Sequence, residues 1–260
     1  VEDPTRVFRA IRFEQRFNFR ISRHTLNLIK TAVAMKLFTR LSGERIYDEL
    51  VLMFSELEPL RVLRRMQELD LLRFLHPSLR LGAELEGLMT AIGEALTWHR
   101  LLYIDAPVER WFICLLGLMD RLKDEAAAEL LARLAVPPRV RKRAMTAREH
   151  CREVLAEFYR ETALPPSRVY DLLKPLDTEQ VILMMAKARK ESAKRYVSLY
   201  LTHLRDVRLA LTGDVLKRMG VPPGPRYRRI LDDLLDAKLD GVVASGADEL
   251  DFVRRTAGRA

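Results

Sequence analysis

Three arginines, Arg226, Arg228 and Arg229, follow Pro225 in the stretch GVPPGPRYRR at 220–229. Gly220 is suited to end one helix and Pro225 to start another. Free backbone N–H groups and three guanidinium groups then meet in one helical turn, which is the chemistry of a phosphate site. Tyr227 is placed either to stack on a base or to pack. Two stretches just upstream, KARKESAKRY at 187–196 and RLALTGDVLKRMG at 208–220, place Lys187, Arg189, Lys190, Lys194, Arg195, Arg208, Lys217 and Arg218 on helices. The alternative for any one of them is a solvated charged face. A second, weaker basic stretch is RVRKRAMTAREHCR at 139–152.

Other chemistries find no support. The five histidines, His24, His76, His99, His150 and His203, are far apart and none is followed by Asp, so no His-Asp phosphohydrolase motif is present. There is no Gly-rich phosphate loop, and no serine or cysteine carries a local nucleophile signature. No metal site is expected. The two cysteines, Cys114 and Cys151, sit in helical contexts, which fits a reducing cytoplasm rather than a disulfide framework.

The charge agrees with anion binding. The formal net charge is +9 over 260 residues, and 35 of the 45 basic residues are arginine. A polyanion, most often nucleic acid, is the partner such a balance suggests. An Arg-rich codon usage is the competing explanation.

The elements that must carry these residues read as helices nearly throughout. Leu60, Leu63, Met66, Leu69 and Leu72 recur at helical spacing, as do Leu130, Leu131 and Leu134. No alternating strands or Asn-Gly hairpins appear. Proline pairs at 137–138, 165–166 and 222–223 mark joints where one helix ends and another begins. The apolar run WFICLLGLM at 111–119 is too short to span a bilayer and is expected to be a buried helix. At the start, Asp3 and Pro4 read as N-cap and first helical position. Val7, Ala10, Ile11 and Phe17 then share one side of that helix, and Arg6, Arg9, Arg12 and Arg16 the other. The expectation is an all-α chain, an elongated array of about a dozen helices.

An ordered set of segments gives these elements a context. EDPTRVFRAIRF at 2–13, RLSGERIYDELVLMF at 40–54, LLRFLHPSL at 71–79 and the region 200–241 resemble successive segments of the bacterial class II tRNA nucleotidyltransferase and poly(A) polymerase family. The middle, about 85–165, is only generically helical. The resemblance implies a neck at 1–60, a body at 61–165 and a tRNA-binding tail at 166–260. It implies that Glu2, Asp3 and Arg6 form the protein template for the incoming base. Asp3 would accept from the exocyclic amine of adenine or cytosine and Arg6 would donate to the ring nitrogen, while Glu2 holds the Arg6 fork. Ser42 and Glu44 read as the cap and first turn of a helix, with Arg45 paired to Asp48 or Glu49.

The family's catalytic head carries a Gly-Gly loop, a metal-binding carboxylate pair and an Arg-Arg-Asp motif. None is in this sequence, which begins at Val1 without methionine. The resemblance therefore implies a head upstream of residue 1 that holds the magnesium and the catalytic carboxylates. No catalytic residue and no bound cofactor are expected in this chain, which alone should transfer no nucleotide. The implied partners are tRNA or another RNA 3′ end, ATP or CTP, and the head itself, in the cytoplasm and without a membrane. The alternative is a helical protein-interaction module whose basic surface has no function. The sequence leaves CCA addition, A addition and poly(A) synthesis open.

Overall fold

The computed structural model describes residues 4–104, 107–160, 163–218 and 224–257. Among them lie fourteen α-helices and no strand. In chain order they are α1 (Thr5–Phe17), α2 (Arg23–Ala34), α3 (Gly43–Ser55), α4 (Pro59–Glu68), α5 (Ala83–Leu101), α6 (Arg110–Met119) and α7 (Asp124–Arg133). Then come α8 (Pro138–Arg160), α9 (Pro166–Leu173), α10 (Thr178–Lys187), α11 (Glu191–Leu199), α12 (Gly213–Arg218), α13 (Pro225–Leu239) and α14 (Gly246–Ala257). Proline opens α4, α8, α9 and α13, where a missing N–H costs nothing and its fixed φ suits the first turn. The joint at 221–223 lies outside the described residues.

The helices form two compact units, one of residues 1–153 and 178–187, the other of 154–177 and 188–260, with the division falling inside α8. In the first unit α6 is the central element. Every residue from Phe112 to Met119 is buried, as the apolar run requires, and α3, α5 and α10 pack around it. No helix among the described residues is long and apolar enough to cross a membrane. Both cysteines are buried, and burial pushes the Cys114 thiol up to about 12.

The second unit is built around Leu211, Leu216, Ile230, Leu234, Val243 and Val253, with α13 packed on α9 and α14. A π-helical turn, Tyr200–Leu204, follows α11. Glu249 is fully buried in this unit. Its carboxylate accepts from the backbone N–H groups of Ala210 (2.9 Å) and Leu211 (2.9 Å) and from the Lys238 ammonium (2.6 Å). The loop before α12 is thereby tied to α13 and α14.

Candidate nucleic-acid interface

Helix α1 carries Arg6, so its seat decides where that residue points. Val7, Phe8 and Ile11 are buried, and α1 packs on α3 and α4. Glu14 is buried as well and receives a two-pronged Arg65 guanidinium from α4, Nε to Oε2 at 2.7 Å and Nη2 to Oε1 at 3.1 Å. This paired geometry fixes direction as well as distance. The helix starts at Thr5 with Pro4 as its N-cap, one residue later than the sequence pattern placed it.

The two sides of α1 differ from expectation. Phe8 rather than Ala10 fills the packed side, and Phe17 is exposed. The arginine side is largely engaged: Arg9 and Arg12 reach Glu49 of α3 at 3.9 and 3.8 Å, while Arg12 and Arg16 reach Glu56 at 3.6 and 3.4 Å. Three of the four arginines therefore hold α1 against the end of α3. Arg6 is exposed and makes no ion pair among the described residues. Glu2 and Asp3 lie outside the described residues.

Helix α3 begins at Gly43 after Ser42. The Ser42 side chain makes no capping bond; its carbonyl accepts from Ile46 N instead. Glycine is needed next to it because a Cβ at position 43 would lie 2.0 Å from the Arg133 carbonyl oxygen and 2.7 Å from the Leu134 carbonyl carbon. Arg133 also donates to the Leu41 and Phe38 carbonyls at 3.2 and 3.1 Å, and burial holds its guanidinium below its usual value.

Much of the weaker basic stretch at 139–152 serves packing in the first unit. Arg148 donates to the Met119 and Leu122 carbonyls, closing the C-terminal end of α6, and pairs with Asp124 at 3.2 Å. Arg152 pairs with the same carboxylate at 3.3 Å, and together the two arginines hold Asp124 below the usual carboxylate range. Arg143 binds Glu109 and Glu179 and lies over the Phe112 ring. Arg139 and Lys142 are exposed there, and so is Arg152 despite its ion pair.

The proposed tail residues separate into engaged and open. Lys187 ends α10 in the first unit, where it is bonded to Asp120. The others are in the second unit. Arg189 and Lys190 lie between helices rather than on one, and so does Arg208. The Lys190 ammonium donates to the Tyr159 carbonyl at 2.9 Å, and Arg208 donates to the Arg205 and Val207 carbonyls. Lys194 pairs with Glu191 one turn away, and Arg195 beside it is exposed. Lys217 and Arg218 are exposed at the end of α12. Helix α13 does begin at Pro225, after Gly224 with φ of 152°. Arg228 and Arg229 are exposed in its first turns, Arg226 is half-buried, and Tyr227 packs on the unit's core.

The sequence pattern missed the Glu14–Arg65 fork, whose partners are 51 residues apart. It also missed the exposed phenylalanines of RFEQRFNF at 12–19. Their interleaving with arginine was the available signal.

Comparison with known proteins places these features. A family model described as the probable RNA and SrmB-binding site of polymerase A matches residues 18–81. The A-adding tRNA nucleotidyltransferase of Geobacter sulfurreducens is 44% identical over the whole of this chain, which covers 30% of that protein. The A-adding enzyme of Aquifex aeolicus is 29% identical over 80% of the chain, covering 25% of that protein. The chain thus spans less than a third of the length of these two curated relatives. Among solved structures, the Thermotoga maritima CCA-adding enzyme complexed with tRNA superposes with a TM-score of 0.80 at 28% identity, over 98% of this chain and 62% of that one. By sequence along its whole length and by fold, the chain is similar to one helical part of the bacterial tRNA nucleotidyltransferases.

Proposed function

We propose that this chain is the helical, RNA-binding and base-selecting portion of an enzyme that adds nucleotides to RNA 3′ ends. The RNA is tRNA and the nucleotide is ATP or CTP. The observation that carries this reading is the 44% identity to an A-adding tRNA nucleotidyltransferase along all 260 residues, since a surface kept only by composition would not extend end to end. The curated relatives that cover most of the chain are A-adding enzymes, which favours A addition over CCA addition.

In this reading the neck is 1–60, the body 61–165 and the tail 166–260, with a magnesium-dependent head upstream and a cytoplasmic location. In this reading the catalytic carboxylates belong to that head, and no catalytic step is assigned to this chain. Its part is recognition. Arg6, with Glu2 and Asp3, reads the base edge, and the rigid seat of α1 supports that role: a template whose helix could slide would lose its register with the base. The Glu14–Arg65 fork and the Glu49 and Glu56 pairs resist such sliding.

The tail holds the RNA by its phosphates, with Arg228 and Arg229 at the start of α13 as the leading contacts. First-turn arginines oppose the helix dipole, which prefers acids there, so structure alone gains little from them. In R228Q/R229Q, tRNA affinity is expected to fall while circular dichroism stays unchanged. The slope of log affinity against log salt should flatten by roughly one unit per phosphate contact removed. Equal affinities and equal slopes for variant and wild type would show that this helix start faces away from the RNA.

A further inference from the structure

Three phenylalanines stand exposed at the end of α1, where a soluble chain normally buries such rings. Phe17 is 49% exposed and Phe19 65%, with Phe13 beside them and Leu57 at 76%. They form a ladder: the Phe13 and Phe17 rings are 5.9 Å apart and tilted by 30°, and Phe17 and Phe19 are 5.4 Å apart and tilted by 31°. The rings tilt against one another, and Phe17 and Phe19 stay largely open to solvent. The backbone builds it on purpose. Asn18 ends α1 in the left-handed conformation, φ 53° and ψ 35°, and this turn folds Phe19 back beside Phe17 while its N–H bonds to Glu14 O at 3.0 Å.

Guanidinium groups flank the rings. Arg12 lies 4.8 Å from the Phe13 centroid and Arg16 5.2 Å from that of Phe17. Two clefts open on this ledge. One is lined by Phe17, Leu57, Arg12 and Arg16 with Glu56 and Glu58, the other by Phe19, Asn18, Arg61, Arg64 and Arg65 with Glu14 and Glu68. Each is about 410 Å³, within the roughly 300–1,000 Å³ range of pockets that take small organic groups.

We propose that the Phe17–Phe19 ledge is a stacking platform for unpaired RNA bases, with the half-exposed Arg16 and Arg64 meeting the adjoining phosphates. Flat rings interleaved with guanidinium groups are how proteins hold single strands without reading their sequence. The match of residues 18–81 to a family described as RNA-binding points to RNA rather than an apolar protein face, and Arg16 and Arg64 remain half exposed even while paired to Glu56 and Glu86. The ledge rests on the RNA-binding reading above and adds a second contact of different chemistry, since the tail grips backbone and the ledge grips bases.

The test uses the purified chain with two probes, a short single-stranded oligoadenylate and a blunt RNA duplex. F17L/F19L keeps apolar bulk and removes the rings. It is expected to weaken oligoadenylate binding roughly tenfold or more, the range of one to two lost stacking contacts, and to leave duplex binding nearly unchanged. F17Y/F19Y, which keeps the rings, should retain oligoadenylate binding. Equal oligoadenylate affinity in F17L/F19L and wild type would overturn the proposal. So would sedimentation showing that the ledge closes a contact between two copies of the chain while RNA binding ignores the rings. A wild-type chain that binds tRNA but not oligoadenylate would overturn the ledge alone, and one that binds neither would overturn the RNA-binding reading with it.

Discussion

Gly43→Ala is expected to destabilise the first unit by about 3 kcal/mol, at the upper end of what overpacking usually costs. The new methyl group would meet the Arg133 carbonyl at 2.0 Å, with the Leu134 and Ala135 backbone just behind it. Backbone cannot rotate away as a side chain can. Either α3 or the end of α7 must move, and each movement loosens the bonds from Arg133 to Phe38 and Leu41. The same substitution at Gly87 has the opposite expected sign. Nothing lies within 4 Å of a Cβ there, the site is in the interior of α5, and alanine should gain about 1 kcal/mol of helix preference. Denaturant unfolding followed by tryptophan fluorescence reports this unit, which contains both Trp98 and Trp111. A Gly43→Ala chain as stable as wild type would contradict the close packing of α3 on the end of α7.

The second large effect is expected at Glu249. Its removal in Glu249→Ala leaves the Lys238 ammonium with only the Arg208 carbonyl and takes the acceptor from the Ala210 and Leu211 N–H groups, and breaking such a pair is expected to cost about 3 kcal/mol. Amide exchange at Ala210 and Leu211 should accelerate, because these donors lose the carboxylate that closes them. The pH dependence follows from the same contacts. Burial disfavours the charged carboxyl, but Lys238 and the two N–H donors outweigh it and hold Glu249 below the usual carboxylate range. A lowered folded value means the stabilisation is complete above the unfolded value of about 4.3 and is lost as pH falls through the folded one. In Glu249→Gln that acid-side loss should shrink, and stability near neutrality should already be lower. An unchanged acid limb in the variant would show that Glu249 is not the titrating group.

The helical fold was legible because its signals are local. The apolar run that became α6 and the prolines that open α8, α9 and α13 need no distant partner to be read. The side chains that matter to the candidate site are harder. Arg12 and Arg16 looked like members of a solvated stripe, yet Glu49 and Glu56 of α3 claim them, and nothing in the spacing of α1 reveals those partners. Arg143 and Arg148 looked like a basic surface; instead Arg143 pairs with the buried Glu179 and Arg148 closes the end of α6. Phe17 fell on the packed side by helical arithmetic, but it is the last residue of α1 and the left-handed Asn18 turns the chain there, leaving the ring half exposed. Charge run and apolar spacing thus predicted element type well and side-chain destination poorly. Destination depends on which helices meet, and that is a long-range property.

The central claim is that this chain grips tRNA through its phosphates. The direct measurement is the affinity of the 260-residue chain for tRNA across a series of salt concentrations. Binding through several guanidinium–phosphate contacts predicts a linear fall of log affinity with log salt, with a slope near 0.7–0.9 per contact in magnitude, hence a steep decline. The same decline should appear for tRNAs of unrelated sequence, because phosphates are common to all of them. A chain whose tRNA affinity is flat with salt, or that binds no tRNA at low salt, would contradict the account.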